Sequence, residues 1–323
     1  MLETLNWRGE NLSTSGSWKV QYQDLNSTPQ ATDNLKALIR TYGFAVVTDV
    51  PVADQPIAAV ETLFMRNILE FGCPVSQSAK LDFLGHVTDR GSDISNPKSR
   101  GYESSAELPF HTDRCDLLTL LCVKQAPIGG ETRVVSAFAA YKQLLRTKPE
   151  QARILCEPVP FDLRDTIGSN TWAMMPVFSV ETGTFVARYV RRFIEASQRF
   201  EDAPRLSDEQ CKAFDSLDAI LNAPGMAINL RLKPGEWLFI DNHRMLHARS
   251  QFQDDQDPAA ARLLLRAWLC WSDSPELPQS FLPTYGRIAG GAYRGGVWPS
   301  PDYLPSIPSD LDLARKRIGA LCP

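Results

Sequence analysis

The 323-residue chain has no surplus of positive charge, with 34 Lys and Arg against 38 Asp and Glu. Without a broad basic face nothing follows a phosphate backbone, so nucleic acid is excluded as the expected partner. Cysteines are few and form no pattern. The seven (Cys73, Cys115, Cys122, Cys156, Cys211, Cys270 and Cys322) are odd in number and scattered, and no C-x-x-C pair occurs. That excludes a disulfide framework and a cysteine zinc site. Runs such as Leu-Leu-Cys122-Val and Trp-Leu-Cys270-Trp use cysteine as a small hydrophobe. No window approaches the ~18 apolar residues of a membrane span. The opening Met1-Leu-Glu-Thr-Leu-Asn-Trp-Arg has no basic stretch followed by an apolar one. The expectation is a cytoplasmic protein with a small-molecule partner and no membrane attachment; a homo-oligomer is allowed.

Repeats, charge blocks and low-complexity linkers are also missing. Composition is that of an ordinary globular protein, 43% hydrophobic and 22% charged. Its length fits about two average domains or one large β-rich one. The 23 Pro and 19 Gly are spread along the chain and punctuate many short elements. Asn34 to Tyr42 reads as the end of a helix and Gly43 to Asp49 as a strand. Val60, Leu63, Phe64, Ile68 and Leu69 recur at helical spacing over Ile57 to about Leu69. Pro74 to Glu107 is polar and turn-rich. Short apolar runs follow at Leu117–Val123, Thr132–Val135, Pro176–Val180, Phe185–Tyr189, Met226–Leu232, Trp237–Ile240 and Leu263–Trp271, many separated by Gly or Pro. Many short strands with turn signals indicate a sandwich or barrel rather than a βαβ series. Two helices interrupt them: Ala137 to about Arg146, and one opened by a Ser207/Gln210 capping box. The expected fold is mainly β with flanking helices, a jelly-roll core with helices outside it.

Histidine is scarce: His86, His111, His243 and His247 are the four. His111 stands two residues before Asp113, and in extended chain such residues share a face, so imidazole and carboxylate can converge on one ion. His243 or His247, on a turn after Trp237–Ile240, can supply a third ligand. Two His and one carboxylate on one side of a metal leave the opposite positions open, the set used by non-haem Fe(II) oxygenases. In Ala261-Arg-Leu-Leu-Leu-Arg-Ala-Trp-Leu269, alternation puts Arg262, Leu264, Arg266 and Trp268 on one face. Two Arg on a buried strand face need anions, and Arg suits a bidentate grip on a carboxylate. The alternative is a structural ion pair with acidic residues of the chain.

In order along the chain, His111-Thr-Asp113, Gly129-Gly-Glu-Thr132, Asp241-Asn-His-Arg-Met-Leu-His247 and Arg262-Leu-Leu-Leu-Arg266 resemble the 2-oxoglutarate-dependent Fe(II) dioxygenases, and most closely the taurine dioxygenase (TauD/TfdA) and γ-butyrobetaine hydroxylase superfamily. The resemblance spans about residues 35 to 271. It implies a double-stranded β-helix of the clavaminate synthase-like jelly-roll kind, in a single oxygenase domain over residues 1–323 with a C-terminal loop and tail from 272. It implies Fe(II), 2-oxoglutarate and O2 as cofactor and cosubstrates, with His111, Asp113 and His247 as iron ligands. Thr132 and Arg262 would hold the distal carboxylate of 2-oxoglutarate, with Arg266 toward the substrate. The family pattern takes His247 over His243, in Leu-His247-Ala-Arg249. Substrate contacts are expected from Arg188 and Tyr189 in Ala187-Arg-Tyr-Val-Arg-Arg192, and from His86 in the turn-rich stretch. The glycine-rich Gly286 to Gly296 lacks the flanking strand and helix of a phosphate loop and reads as a mobile lid. Two alternatives use the same residues: a zinc hydrolase with the His/Asp/His set, and a non-catalytic jelly-roll binding module.

Overall fold

The structure is a computed structural model that describes residues 2–12, 16–25, 29–92, 103–164 and 171–320. Its strands form two main sheets. The larger has seven strands: β1 (Lys19–Gln21), β2 (Phe44–Thr48), β3 (Cys73–Val75), β4 (Gly85–Val87), β6 (Leu117–Lys124), β9 (Trp237–Asp241) and β11 (Leu263–Cys270). The smaller has four: β5 (Leu108–His111), β7 (Thr132–Ser136), β8 (Ile228–Leu230) and β10 (Met245–Arg249). In the larger sheet the order is β1-β2-β9-β6-β11-β3, with β4 also on β11; in the smaller it is β8-β7-β10-β5. Apart from the parallel β1–β2 pair these ladders are antiparallel. The chain is mainly sheet with helices around it, as its short apolar runs indicate.

Each central strand follows from its sequence. The run Leu117-Leu-Thr-Leu-Leu-Cys-Val pairs on both edges, with β9 and β11, and is buried through Cys122. A strand covered on both faces has no polar side to present, hence its unbroken apolar run. Its one internal hydroxyl, Thr119 Oγ1, donates to Leu238 O and accepts from Trp237 Nε1. Two apolar cores result. One gathers Phe44, Phe64, Trp237, Phe239 and Leu265 around the larger sheet. The other gathers Phe161, Phe178, Phe185, Tyr189, Phe214 and Leu246 beneath the smaller sheet's helices. The helices stand where periodicity places them, at Pro29–Tyr42, Ile57–Ile68 and Ala137–Thr147, and the Ser207/Gln210 capping box opens Asp208–Leu221.

Three features differ from the sequence expectation. The turn-rich stretch after Pro74 holds two strands, β3 and β4, which pair with β11 and complete that edge of the larger sheet. His247 lies within strand β10, not on a turn. The glycine-rich segment, expected as a mobile lid, is a strap whose far half packs into the interior: Tyr293 and Arg294 are fully buried. Tyr293 donates to Pro74 O, Gly296 N–H to Arg114 O and Val297 N–H to Ser76 O. Arg294 sits in the interior because Asp116 meets it, Nε to Oδ1 at 2.8 Å, while its other nitrogens donate to the Pro275, Ile288 and Ala289 carbonyls. Asp116 also takes His243 Nε2 at 2.7 Å and the Trp271 N–H. Burial alone would raise this carboxyl, but Arg294 and His243 hold it below the usual range.

Removing one member of such a cluster strands the others as uncompensated buried charge, at about 3–5 kcal/mol. Asp116→Ala is therefore expected to lower unfolding stability by about that amount, read by denaturant titration. A midpoint equal to wild type would show that the strap is held by packing alone.

Candidate active site

The site is assembled by register. In the β10–β5 ladder His247 lies directly opposite His111, and the ladder then shifts by one residue before Arg249 meets Leu108. Such bulges re-aim side chains, and the two rings here lie 4.2 Å apart, centroid to centroid. Asp113 follows at the end of β5, with Oδ1 3.9 Å from His111 Nε2 and Oδ2 3.8 Å from His247 Nε2. One ligand atom from each residue can be chosen so that all three lie within 4.8 Å of one another. Among the described residues this is the one group of three or more His, Cys, Asp or Glu so placed.

The protonation states suit a cation. His111 Nδ1 lies 2.8 Å from Pro109 O; a carbonyl can only accept, so Nδ1 carries the proton and Nε2 keeps its lone pair. Burial lowers the His111 pKa, against the pull of Asp113. Burial and the neighbouring His111 push His247 down to about 3, so its ring is neutral near pH 7. Burial would raise the Asp113 carboxyl, but Arg266, the two imidazoles and a 2.9 Å hydrogen bond from Trp268 Nε1 keep it low and ionised. Two neutral imidazoles and one carboxylate make a donor set for a divalent metal with open positions.

The loop bearing Asp113 is fastened from behind. Its N–H donates to Asn242 Oδ1, and Asn242 Nδ2 donates to the Asp113 and Cys115 carbonyls, each at 2.8 Å. Arg188 Nη1 donates to the Thr112 carbonyl and hydroxyl and to Asp113 O. Arg188 thus holds the ligand loop. Tyr189 packs in the second core, where its hydroxyl donates to Asp218 at 2.8 Å. His86 leaves the cleft as well: β4 turns Val87 toward it, and His86 Nε2 lies 2.6 Å from Glu61 Oε1. His243 is buried on Asp116, away from the His111, Asp113 and His247 cluster.

The other expected residues do converge. An open cleft is lined by His111, Asp113 and His247 together with Thr132, Arg249, Arg262 and Arg266. Leu264 lines it too, so the period-2 reading of β11 holds through Trp268, whose indole reaches Asp113. Arg266 Nε donates to Gln77 Oε1 at 2.6 Å, and its Nη1 stands 4.0 Å from Asp113 Oδ2. Arg262 Nε donates to Gln125 Oε1 at 3.0 Å and Nη2 reaches Gly130 O at 3.4 Å, while buried Nη1 has no hydrogen-bond partner. Gly130 has φ +77, and a Cβ there would lie 3.0 Å from Arg262 Nε. Glycine is thus needed both for the left-handed backbone and for the space beside the guanidinium. Burial pushes Arg262 down to about 10, still cationic at neutral pH.

A family described as "Taurine catabolism dioxygenase TauD, TfdA family" matches residues 8–268. The chain belongs to this family. It is a non-haem iron, 2-oxoglutarate-dependent dioxygenase, and its cofactors are Fe(II), 2-oxoglutarate and O2. Similar proteins include the FR-33289 synthase of Streptomyces rubellomurinus, 28% identical over 244 residues that cover 74% of this chain and 72% of that protein. The uridine-5'-phosphate dioxygenase of an Amycolatopsis species is 29% identical over 266 residues, 77% of this chain and 90% of that one. The fold is shared with the non-heme iron oxygenase OrfP, solved with Fe and alpha-ketoglutaric acid, at a TM-score of 0.55 and 18% identity over 77% of this chain and 84% of that one. The family match supports neither the zinc-hydrolase nor the non-catalytic alternative. Among the described residues, no helix is long and apolar enough to cross a membrane.

Trp268, placed on the Arg262 face by alternation, hydrogen-bonds to Asp113, whereas Asn242, Gln77, Gln125 and Arg249 support the site with no role assigned to them from sequence. Alternation could have found Arg249, which lies two residues past His247. His247→Ala is expected to abolish stoichiometric Fe(II) or Mn(II) binding, and His243→Ala to retain it at some loss of stability. Metal content of the two purified variants decides between them; the reverse pattern would move the third ligand to His243.

Proposed function

We propose that this dioxygenase hydroxylates an unactivated C–H bond of a small molecule, such as an amino acid, a small acid or a secondary-metabolite intermediate, with release of succinate and CO2. The protein is read as one oxygenase domain on a double-stranded β-helix. The observation that carries the proposal is the row of Arg262, the residue just before β11, and Leu264 and Arg266 on it, which runs along the same cleft as His111, Asp113 and His247. A metal-binding triad alone fits many chemistries, but a triad beside two inward arginines fits one that also fixes a dicarboxylate.

The residues divide the work. His111, Asp113 and His247 hold the iron; Arg188, Asn242 and Trp268 keep Asp113 in place, and Arg266 and Trp268 keep it ionised. Arg262 and Thr132 take the far carboxylate of 2-oxoglutarate, with the unpartnered Arg262 Nη1 left to donate to it. Iron with its cosubstrate supplies the oxidising power for C–H cleavage. The chain supplies orientation: it fixes the substrate's position along the cleft and limits water around the reacting bond. Arg266, further along the same face, faces the substrate and offers a cation for an acidic group. One relative agrees in kind, being a dioxygenase named for a nucleotide phosphate, a small acidic molecule.

Arg262 and Arg266 are expected to fail differently. Arg262→Ala should raise the 2-oxoglutarate KM by roughly two to four orders of magnitude, the cost of breaking a buried charged pair. Arg266→Ala should chiefly impair the primary substrate and leave slow, substrate-independent 2-oxoglutarate decarboxylation. Saturation curves for both substrates on each folded variant test this; a KM effect on 2-oxoglutarate confined to Arg266→Ala would swap the roles. A screen of small acids and amino acids for succinate release coupled to a product gaining one oxygen tests the reaction type. Succinate release with every product mass unchanged would overturn hydroxylation.

A further inference from the structure

Arg262 is not the only guanidinium at its end of the cleft. Arg249 follows His247 by two residues on β10, lines the same cleft and is 6% exposed. Its Nη2 donates to the carbonyls of Ser104 and Ala106, while its Nε and Nη1 are buried without a hydrogen-bond partner. Arg249 and Arg262 both stand over one ring, with guanidinium carbons 5.0 and 4.9 Å from the centroid of buried Phe252. In the β10–β7 ladder Arg249 lies directly opposite Thr132. Among the described residues neither arginine makes an ion pair within 4.0 Å, in contrast to Arg266 beside Asp113 and Arg294 on Asp116.

Two buried cations crowded on one aromatic face, with three N–H-bearing nitrogens unsatisfied, are unfavourable without an anion between them. The anion must bring several acceptor lone pairs and fit beside a hydroxyl, which describes a carboxylate or another oxyanion. Phe252 explains how the pair is tolerated without that anion, since its ring face attracts both guanidiniums. Thr132, read above as a contact of the cosubstrate's far carboxylate, lines the cleft here, and the substrate is read toward Arg266. We propose that Arg249 is a second guanidinium of the cosubstrate pocket, its Nε and Nη1 joining Arg262 and Thr132 on the distal carboxylate of 2-oxoglutarate. The inference rests on the oxygenase reading and adds a residue that selects 2-oxoglutarate over keto acids lacking the second carboxylate.

The test is a calorimetric titration of Mn(II)-loaded protein with two keto acids, 2-oxoglutarate and 2-oxopentanoate. They share the chelating head and chain length and differ only in the distal carboxylate. Arg249→Met is expected to weaken 2-oxoglutarate by about tenfold to a thousandfold, as for loss of one buried charged partner, and to leave 2-oxopentanoate unchanged. Arg249→Lys, which keeps the charge but not the fork, should show a smaller loss with the same selectivity and serves if the Met variant does not fold. Equal weakening of both keto acids would overturn the proposal and reduce Arg249 to a brace for the Ser104–Ala106 segment. Unchanged binding of both would overturn it too, and would assign the pair's second cation to the substrate's anion. Wild-type protein that binds neither keto acid would instead refute the oxygenase reading itself.

Discussion

Everything in the site depends on one backbone register, the pairing of His247 with His111 across β10 and β5. Side chains alternate with a period of two along a strand, so a slip of one residue would turn one imidazole to the opposite face. The register is held from several directions. Apolar Leu246 and Ala248 point the other way into the second core, and β7 pairs along the far edge of β10 from Met245 to Arg249. Asp113 then needs only the short stretch beyond His111 to reach both rings. The hydrogen bonds from Asn242, Arg188 and Trp268 fix that stretch, so the three side chains are preorganised by the fold.

The second constraint is charge. The interior carries Arg188, Arg249, Arg262, Arg266 and Arg294, all at most 9% exposed. Their partners separate structure from function. Arg294 meets Asp116, and Arg188 meets backbone carbonyls, so both serve the scaffold. Arg266 leans on Gln77 and the ligand carboxylate. Arg188, Arg249 and Arg262 all keep a nitrogen with no protein acceptor, but of these three Arg249 and Arg262 line the cleft, which is the part where a ligand would complete the electrostatics. The same logic explains why His243, four residues from His247, is no competitor: it is already bound to Asp116 in the cluster that fastens the C-terminal strap.

Much of this was legible in the sequence where the signal is local. The i, i+2 spacing of His111 and Asp113, the alternating arginine face of β11 and the Ser207 capping box all report geometry within a few residues. What escaped depends on distant partners. The strands β3 and β4 are three residues each in a polar stretch and exist because β11 offers them an edge. The glycine-rich segment looked mobile because nothing nearby announces that Arg294 will find Asp116. Arg188 and Tyr189 were read by type, as anion and aromatic contacts, yet adjacent residues on extended chain face opposite ways; one went to the ligand loop and the other to the core. His86 was drawn to Glu61, a helix residue that spacing could not connect to it.

The central claim is that this triad and this cleft together hold Fe(II) and 2-oxoglutarate at one centre. The most direct measurement is anaerobic: purified protein is titrated first with Fe(II) and then with 2-oxoglutarate, and the visible spectrum is recorded. The expected result is a charge-transfer band that appears only when both are present, saturates at one iron per chain and is missing when zinc replaces iron. A protein that binds iron at this stoichiometry yet shows no such band with saturating 2-oxoglutarate would contradict the account.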